Sequence, residues 1–557
     1  MDLLRSNFSS VTTAPFIMDF FEMQAVPLPS LNTSAVNAAS SIFGFLSLFL
    51  FYKALVAKRL PSSSQTVQKW IRPFTKRYKA WSYLFWGPEI IQKSFDEAEG
   101  KPFELLAPDN RYVFVSDPGQ IKEIDSAPDT VLSLQAASKQ PLYTMHGFNW
   151  FDRRGTEGVG FIRALRTLLT NNLPKILPDL TCIIRTRFQE LHAGHAVVNG
   201  KKHSDVYHTT VKLVVLSNAV SFFGKDLAKD EQFMTSALAY IEETLICAEI
   251  VRLLPKFMTP VVGGIIARTL KSHAVIFNRL LPIAQERCIE RDAAKLGQKV
   301  PQHPDCIQWI METSPKNAPW TPQRVVHELM AIWFGSVHAV STTITFAIHD
   351  LCLHPEYVAP LRKECEAQYA DFEQAGTGLP LLDSFIKESA RLTPVESQST
   401  RRSALKPFSL KDGTHVDVGD WFCTPVRAIM TNPVDFPEPT TFSGFRFADP
   451  ELVKSLEDDD AFTIMQKKPT KLTDVDMTYH VWGTGRMACP GRFYASAVMK
   501  VILGQVILNY DCELVDPTAK RMFTWRSTIL PKPSAKVIFT PVELTKSGNE
   551  ISELVSL

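Results

Sequence analysis

The 557-residue sequence lacks the features that mark several common classes of protein. Its nine cysteines include no Cys-x-x-Cys pair, so it indicates neither a zinc ribbon nor a disulfide framework. Its 60 basic and 58 acidic residues leave a formal net charge of +2, which gives no support for binding nucleic acid. We find no internal repeat period, which argues against a solenoid or a propeller. The 45% hydrophobic content instead allows one large buried core.

One uncharged stretch lies near the N-terminus. Residues Ala35–Tyr52 run for 18 residues without a charge, and a helix of that length would be about 27 Å long, close to the hydrocarbon thickness of a bilayer. Basic residues are frequent after this stretch but not before it, so the positive-inside rule predicts a lumenal N-terminus and a cytosolic remainder. The alternative is a buried helix of a globular domain, because Asn37, Ser40 and Ser41 weaken the span.

The sequence predicts one large catalytic domain behind an N-terminal appendage. Asn7 and Asn32 begin Asn-x-Ser triplets on the predicted lumenal side, where they would be N-glycosylation sites. The expected divisions are a lumenal tail over residues 1–34, a transmembrane anchor over 35–57, a basic and proline-containing hinge over 58–80, the catalytic domain over 81–545 and a C-terminal tail over 546–557.

Helical periodicity dominates beyond residue 81, and strand-like segments are short and mostly late. A large helical domain with small sheets is therefore expected. The predicted helices are Phe161–Leu173, Val206–Phe223, Gln232–Leu253, Val262–Gly297, Thr321–Leu353, Val358–Ala375, Leu381–Leu392 and Gly491–Asn509. The predicted strands are Phe408–Leu410, Trp421–Thr424, Arg526–Leu530 and Ala535–Phe539.

The stretch VWGTGRMACPGRFYA, from Val481 to Ala495, carries the most informative chemistry. Three glycines surround Cys489, and an apolar helix is predicted directly after it. Glycines let backbone N–H groups approach a sulfur, and the next helix presents its positive N-terminus to it, so the pattern is typical of a loop that holds a thiolate ligand. Arg486 is placed to meet an anionic group on a planar ligand.

Two alternatives compete for this loop. One is a dinucleotide-binding fingerprint, but no strand–helix–strand unit surrounds it and Pro490 would lie inside its helix. The other is a buried structural cysteine in a glycine-rich turn. The loop alone does not decide between a ligand and a structural cysteine.

Two further patterns have both a structural and a functional interpretation. Glu388 and Arg391 lie on one face of a predicted helix, and Arg446 could complete an ionic cluster with them. The alternative is a solvated salt bridge of little energetic value. Thr342 lies in a hydroxyl-rich patch inside an apolar helix, which is either a set of bonds to i−4 carbonyls or a path for protons.

Together these motifs resemble those of the cytochrome P450 superfamily. The family's haem-binding loop has the form F-x-x-G-x-R-x-C-x-G, and here it reads WGTGRMACPG, with Trp482 in the place of phenylalanine. Glu388 and Arg391 match its E-x-x-R pair. The segment Phe442–Phe447 resembles its P-x-R-F segment, with Gly444 where proline is usual.

The resemblance extends to a fourth motif, the family's oxygen-activating A-G-x-D/E-T-T stretch. The match puts Thr342 and Thr343 on the two threonines, Ser341 on the acidic position and His338 on the alanine position. By resemblance, Thr342 would relay protons during oxygen activation, and Ser341 would share that relay through water. Arg402 and Arg163 resemble the arginines that bind haem propionates.

The resemblance implies a mainly α cytochrome P450 fold with small β-sheets behind a single transmembrane helix. It implies a haem, iron-protoporphyrin IX, whose iron is bound by Cys489, with Trp482, Gly485, Gly491 and Arg486 in the surrounding loop. The implied reaction inserts one atom of O₂ into a lipophilic small molecule, such as a terpenoid or an alkaloid. The loop and the anchor most resemble those of fungal microsomal monooxygenases of secondary metabolism.

The resemblance also implies partners and a location. Electrons would come from NADPH through NADPH–cytochrome P450 reductase, because the chain shows no nicotinamide or flavin motif. The protein would be held in the endoplasmic reticulum membrane with its catalytic domain in the cytosol. Two other functions remain open: an oxidative rearrangement, desaturation or dehydration, and a non-enzymatic haem sensor or scaffold.

Overall fold

A computed structural model of the chain describes residues 65–134, 136–137, 160–254, 258–315, 319–456, 462–466 and 468–542. The predicted anchor and the triplets at Asn7 and Asn32 lie outside these residues. The described chain is mainly helical. Its helices are α1 (Gln65–Ala98), α2 (Pro118–Ser126), α3 (Gly160–Arg163, continued by a π-helix over Ala164–Leu169), α4 (Leu173–Ala193), α5 (Val206–Phe223), α6 (Lys225–Lys229), α7 (Glu231–Leu253), α8 (Thr259–Thr269), α9 (Ser272–Lys295), α10 (Cys306–Glu312), α11 (Pro322–Ser336), α12 (His338–Leu353), α13 (Val358–Ala375), α14 (Pro380–Leu392), α15 (Val426–Met430), α16 (Pro450–Lys454) and α17 (Arg492–Asn509).

The strands form small sheets. A five-stranded sheet has the order β1-β2-β9-β6-β3 and a four-stranded sheet the order β10-β13-β5-β4, while β11 pairs with β12 and β7 with β8. The β2–β9 pair is parallel, and the other pairs are antiparallel. The strands are β1 (Phe103–Leu106), β2 (Arg111–Phe114), β3 (Leu132–Ser133), β4 (Ala196–Val198), β5 (Lys201–Ser204), β6 (Gln398–Ala404), β7 (Phe408–Ser409), β8 (His415–Val416), β9 (Trp421–Pro425), β10 (Tyr510–Leu514), β11 (Met522–Trp525), β12 (Thr528–Pro531) and β13 (Val537–Pro541).

The main core lies where α5 and α17 pass through the helical part of the chain. Both helices are apolar on nearly every side and almost entirely buried, as is expected of a helix surrounded by other helices. Helix α5 packs against α4 and α12, and α17 packs against α4 and α13. Polar side chains within α5 are therefore buried and need hydrogen-bond partners from neighbouring helices.

The predicted helices Val206–Phe223 and Val358–Ala375 are confirmed to the residue, as is the mainly helical class with small sheets. The single helix predicted over Thr321–Leu353 is wrong, because α11 and α12 are separate helices that meet at Val337. Val262–Gly297 likewise divides into α8 and α9.

Two further expectations need correction. Arg526, predicted to begin a strand, lies in the turn between β11 and β12 with a φ of 55°, a left-handed conformation that cannot continue a strand. Residues 65–80 of the segment predicted as a hinge belong to α1, which bends at Trp86 (φ −134°, ψ 31°).

Pro322–Leu353, which comprises α11 and α12, is the one stretch of the described residues that is long and apolar enough to cross a bilayer. Some 67% of its most apolar window is buried inside the protein, so it serves here as core.

Candidate active site

Cys489 lies in a tight loop directly before α17. Gly483 and Gly485 have φ values of 75° and 58°, a region that glycine enters without strain. The Cys489 N–H donates to the Trp482 carbonyl at 2.7 Å, which closes the loop. The thiol therefore has a fixed position at the N-terminus of a long buried helix.

The surroundings of the Cys489 sulfur suit an anionic ligand. Burial raises the pKa of the thiol, while the backbone N–H groups of Gly491 and Arg492 and the Arg492 charge act in the opposite direction. These donors would stabilise a thiolate, and a bound metal cation would offset the remaining cost of its burial. The donor set thus fits a haem iron, with Cys489 as the residue that would hold it.

The loop is fastened to the segment that precedes it. The Trp482 indole donates to the Leu472 carbonyl at 2.6 Å, and Arg492 Nε donates to the Thr473 carbonyl at 2.9 Å. Thr484 and Thr400, on β6, are joined through their hydroxyls at 3.0 Å. Trp482 therefore anchors the loop as well as occupying the aromatic position of the motif.

Arg402 and Arg486 converge on the end of α2. Arg402 is buried, and its Nη2 lies 3.0 Å from Asp125. Arg486 Nη2 donates to the Ala127 carbonyl and lies 3.0 Å from Asp129. The structure thus brings together the two arginines that the sequence separates by 84 positions, although Arg486 stands one residue before the arginine position of the motif.

Both the positive φ of Gly485 and the nearby Asp125 side chain favour glycine at this position. A Cβ at this position would lie 2.6 Å from Asp125 Oδ2, so any larger residue would displace the Asp125 side chain from Arg402. The glycine thus allows the loop to approach the carboxylate that holds Arg402.

Arg166, rather than Arg163, reaches the loop. Arg163 is exposed at the end of the α-helical part of α3, whereas Arg166 Nη2 lies 3.4 Å from the Arg486 carbonyl and its charge favours the Cys489 thiolate. Both arginines belong to the segment FIRALR, Phe161–Arg166, of which only Arg163 was assigned to the propionates. The π-helix over Ala164–Leu169 changes the directions of the side chains that follow Arg163.

Glu388, Arg391 and Arg446 form the expected ionic cluster, and all three side chains are fully buried. Glu388 accepts two bonds from Arg391 at 2.7 and 2.8 Å, and two from Arg446 Nε at 3.0 and 3.1 Å. The remaining N–H groups of the arginines donate to backbone carbonyls, at residues 430 and 439 for Arg391 and at 437, 438 and 441 for Arg446. The cluster therefore joins α14 to the chain around residues 430–446 and does not border the Cys489 loop.

Packing explains the glycine at position 444. A Cβ there would lie 2.7 Å from a ring carbon of Phe385 and 2.8 Å from one of Tyr357. The two rings fill the space that a proline would occupy, and the Gly444 carbonyl accepts the Ser384 hydroxyl at 2.9 Å. In this chain the packing of Phe385 and Tyr357 against Gly444 takes the place of the proline that is usual at this turn.

Where α11 and α12 meet, one face of the two helices is exposed; we call it the open face. Gly335 and Ala339, which lie on either side of the break, are exposed, and nothing lies within 4 Å of a Cβ built at Gly335. Val337 and Ser341 are fully buried. Because successive residues of a helix are turned by about 100°, Ala339 marks the direction of the open face.

The three predicted hydroxyls differ in their relation to this face. Ser341 lies about 160° from Ala339, on the opposite side of the helix, and its hydroxyl donates to the Val337 carbonyl at 2.9 Å. This bond directs the Ser341 hydroxyl away from the open face, and its relay role stays a prediction. Thr342 and Thr343 flank the face at about 60° and 40°, and the Thr343 hydroxyl donates to the Ala339 carbonyl at 3.0 Å.

A tyrosine and a histidine meet beside Thr342. Tyr207, on α5, has its hydroxyl 3.0 Å from His338 Nδ1. Burial lowers the pKa of His338 to about 4 and raises the pKa of Tyr207 above its usual value, so both are neutral at pH 7 and share one hydrogen bond. The Thr342 hydroxyl lies beside that phenol, close enough to influence its pKa.

Replacing Glu388 by alanine is expected to lower the free energy of unfolding by about 3–5 kcal/mol, because two buried guanidinium groups lose their shared counter-charge. Urea unfolding measures this. Glu451→Ala is the matched control, since it removes an exposed i, i+3 bridge to Lys454 and should cost less than about 1 kcal/mol. A Glu388→Ala protein as stable as this control would show that the cluster does not stabilise the fold.

Comparisons with known proteins agree with the resemblance found in the sequence. A family model described as cytochrome P450 matches residues 157–539. The chain is 27% identical over 538 residues to cytochrome P450 monooxygenase AN1598 of Emericella nidulans, covering 92% of this chain and 94% of that protein. It is 27% identical over 445 residues to cytochrome P450 monooxygenase olcJ of Penicillium canescens, covering 78% and 79%.

A solved structure shares the fold. Retinoic acid bound cyanobacterial CYP120A1 superposes with a TM-score of 0.57 at 15% sequence identity, covering 83% of this chain and 97% of that one. With more than half of the sequence matched by the family model, and with fungal monooxygenases among its relatives, this chain belongs to the cytochrome P450 family and is a haem–thiolate monooxygenase.

Proposed function

We propose that the protein inserts one atom of O₂ into a lipophilic small molecule of fungal secondary metabolism and receives its electrons from NADPH through a membrane-bound cytochrome P450 reductase. The observation that carries this proposal is the Cys489 loop, in which a fixed thiol meets backbone donors at the start of α17. When bound, the haem supplies the redox chemistry of oxygen activation. The chain's own residues hold the cofactor, orient the substrate and deliver protons.

Within this proposal Cys489 is the iron ligand, and Arg402, Arg486 and Arg166 supply positive charge for the propionates. Support comes from the convergence of the three guanidinium groups around the loop and the end of α2. Asp125 and Asp129 already balance part of this charge, which holds the arginines in place before any ligand binds.

Cys489→Ala is expected to abolish the strongly red-shifted Soret band that thiolate-bound haem gives in reduced protein with carbon monoxide. Absorbance difference spectra of the purified protein measure this band. Cys512→Ala is the matched control, because Cys512 is buried to a similar degree and lies on β10. Retention of the band in Cys489→Ala would identify another ligand.

We place the proton path on the flank of the open face, at Thr342 and Thr343. Ser341 points to the other side of the helix, so it serves as an internal control. Thr343 is already engaged with the Ala339 carbonyl, whereas the Thr342 hydroxyl is not engaged in this way and lies beside the Tyr207 phenol. Thr342 is therefore the better proton carrier of the two.

Thr342→Ala is expected to lower the product formed per NADPH by about tenfold or more and to raise peroxide correspondingly, because proton transfer is slowed while haem binding is kept. Ser341→Ala should leave both quantities unchanged. The assay uses a substrate found by binding spectra against terpenoids, indole alkaloids and polyketides. Equal losses in the two variants would contradict the assignment.

One observation favours a second function. The residues that mark the open face are Gly335 and Ala339, neither of which can pass on a proton. A rearrangement or dehydration that consumes no O₂ needs no protons from this face, whereas a desaturation needs the same proton delivery as hydroxylation. Turnover under ¹⁸O₂ separates the two functions, because only insertion places the label in the product.

We also propose that the protein is anchored in the endoplasmic reticulum membrane by Ala35–Tyr52, with the catalytic domain in the cytosol. The apolar side chains of Val261 and Ile265, one turn apart on α8, are 65% and 58% exposed, and the neighbouring Met258 is 38% exposed. Apolar groups clustered in this way favour contact with a membrane surface.

Deletion of residues 1–57 is expected to release much of the protein from membranes in carbonate extraction, and adding Val261→Glu and Ile265→Glu should release the remainder. The control adds Val434→Glu instead, at an 87% exposed valine outside α8. Unchanged membrane attachment after the deletion would show that Ala35–Tyr52 is not the anchor.

A further inference from the structure

The break between α11 and α12 is held by a side chain from α5. Asn218 is 1% exposed, and its Nδ2 lies 3.2 Å from the Ser336 carbonyl and 3.1 Å from the Ser336 hydroxyl. In a continuous helix the Ser336 carbonyl would accept the N–H of Val340. The Asn218 amide therefore donates to the same Ser336 carbonyl that the Val340 N–H would bond if α11 and α12 were one continuous helix.

Two residues near the end of α11 make further hydrogen bonds. The Ser336 hydroxyl donates to the Trp333 carbonyl at 2.9 Å, and the Trp333 indole donates to the Ala237 carbonyl of α7 at 2.8 Å. The last carbonyls of a helix have no partner within it, so the bonds that Ser336 and Asn218 donate to the Trp333 and Ser336 carbonyls stabilise an ending at Ser336. No proline explains the break, since residues 323–353 contain none.

The start of α12 is fixed by the same face of α5. Tyr207 bonds the His338 ring at 3.0 Å, and the Thr210 hydroxyl lies 2.9 Å from the Thr345 hydroxyl and 3.3 Å from the Ser341 carbonyl. Helical geometry puts Asn218 about 20° from Tyr207 around α5, so both lie on one face of that helix. One rigid, buried helix thus sets both ends of the break.

We propose that Asn218 and Tyr207 are positioning residues that keep the helix broken beside Gly335 and Ala339. A buried amide is costly unless it is hydrogen-bonded, and the bonds of Asn218 are made to Ser336 at the break. The consequence for catalysis rests on the proposed function, in which the face marked by Ala339 borders the reacting oxygen.

Hydrogen–deuterium exchange of the haem-loaded protein tests the structural part. Asn218→Leu keeps the branched shape of the side chain but removes the donor, so the Val340 N–H is expected to bond to Ser336 and to exchange roughly five- to tenfold more slowly, the effect of one ordinary hydrogen bond. Ser217→Ala is the control, because its hydroxyl bonds only within α5. Tyr207→Phe is the milder variant and should alter exchange at residues 338–341 without loss of folded protein.

The outcomes separate a positioning role from general stability. Slower exchange confined to residues 337–341 supports the proposal, whereas unchanged exchange there, or faster exchange throughout α5 and α12, overturns it. Peroxide per NADPH then tests the catalytic consequence and should rise in Asn218→Leu with an unchanged carbon monoxide band. If exchange at residues 337–341 slows but the peroxide formed per NADPH does not change, the proposed proton path is refuted and the structural role of Asn218 stands.

Discussion

The buried charges of Glu388 and Arg391 on α14 need partners, and this need fixes the path of the chain that surrounds the site. Glu388 has no solvent contact, so its charge depends on Arg391 and Arg446. Both arginines donate in turn to backbone carbonyls that lie between residues 430 and 441. Leaving any one of these charges alone would cost several kcal/mol. The chain around residues 430–446 must therefore adopt a single path beneath the helix.

The same helix fixes the loop that carries the thiol. Asp383 accepts the Leu472 N–H at 2.6 Å, and Lys387 donates to the Thr470 hydroxyl and the Lys471 carbonyl at 2.9 and 2.8 Å. Burial lowers the pKa of Lys387 to about 8. Since the Trp482 indole bonds the Leu472 carbonyl, the position of the Cys489 loop follows from α14 through a short series of hydrogen bonds.

How much could be predicted from the sequence depended on the range of the interactions. The Cys489 loop and the pair Glu388 and Arg391 are local patterns, and the structure reproduces the geometry expected of them. The break at Val337 could not be read locally, because its cause lies at Asn218, more than 100 positions away. The choice of Arg166 over Arg163 could not be read from the sequence either, because a π-helix resembles an ordinary helix in sequence.

The direction of the Ser341 side chain shows why a motif match needs a structural reference. A shift of one to three residues along a helix moves a side chain by 60–160° around it, enough to carry a hydroxyl from the open face to the packed one. Matching the threonines put Ser341 where an acid was expected, yet its hydroxyl bonds back to Val337 and its carbonyl faces Thr210. The exposed glycine and alanine at 335 and 339 define the face independently of any motif. Direction around the helix, measured from the exposed residues 335 and 339, is therefore the guide to which residues border this face, since Thr342 and Ser341 are both fully buried and differ in direction.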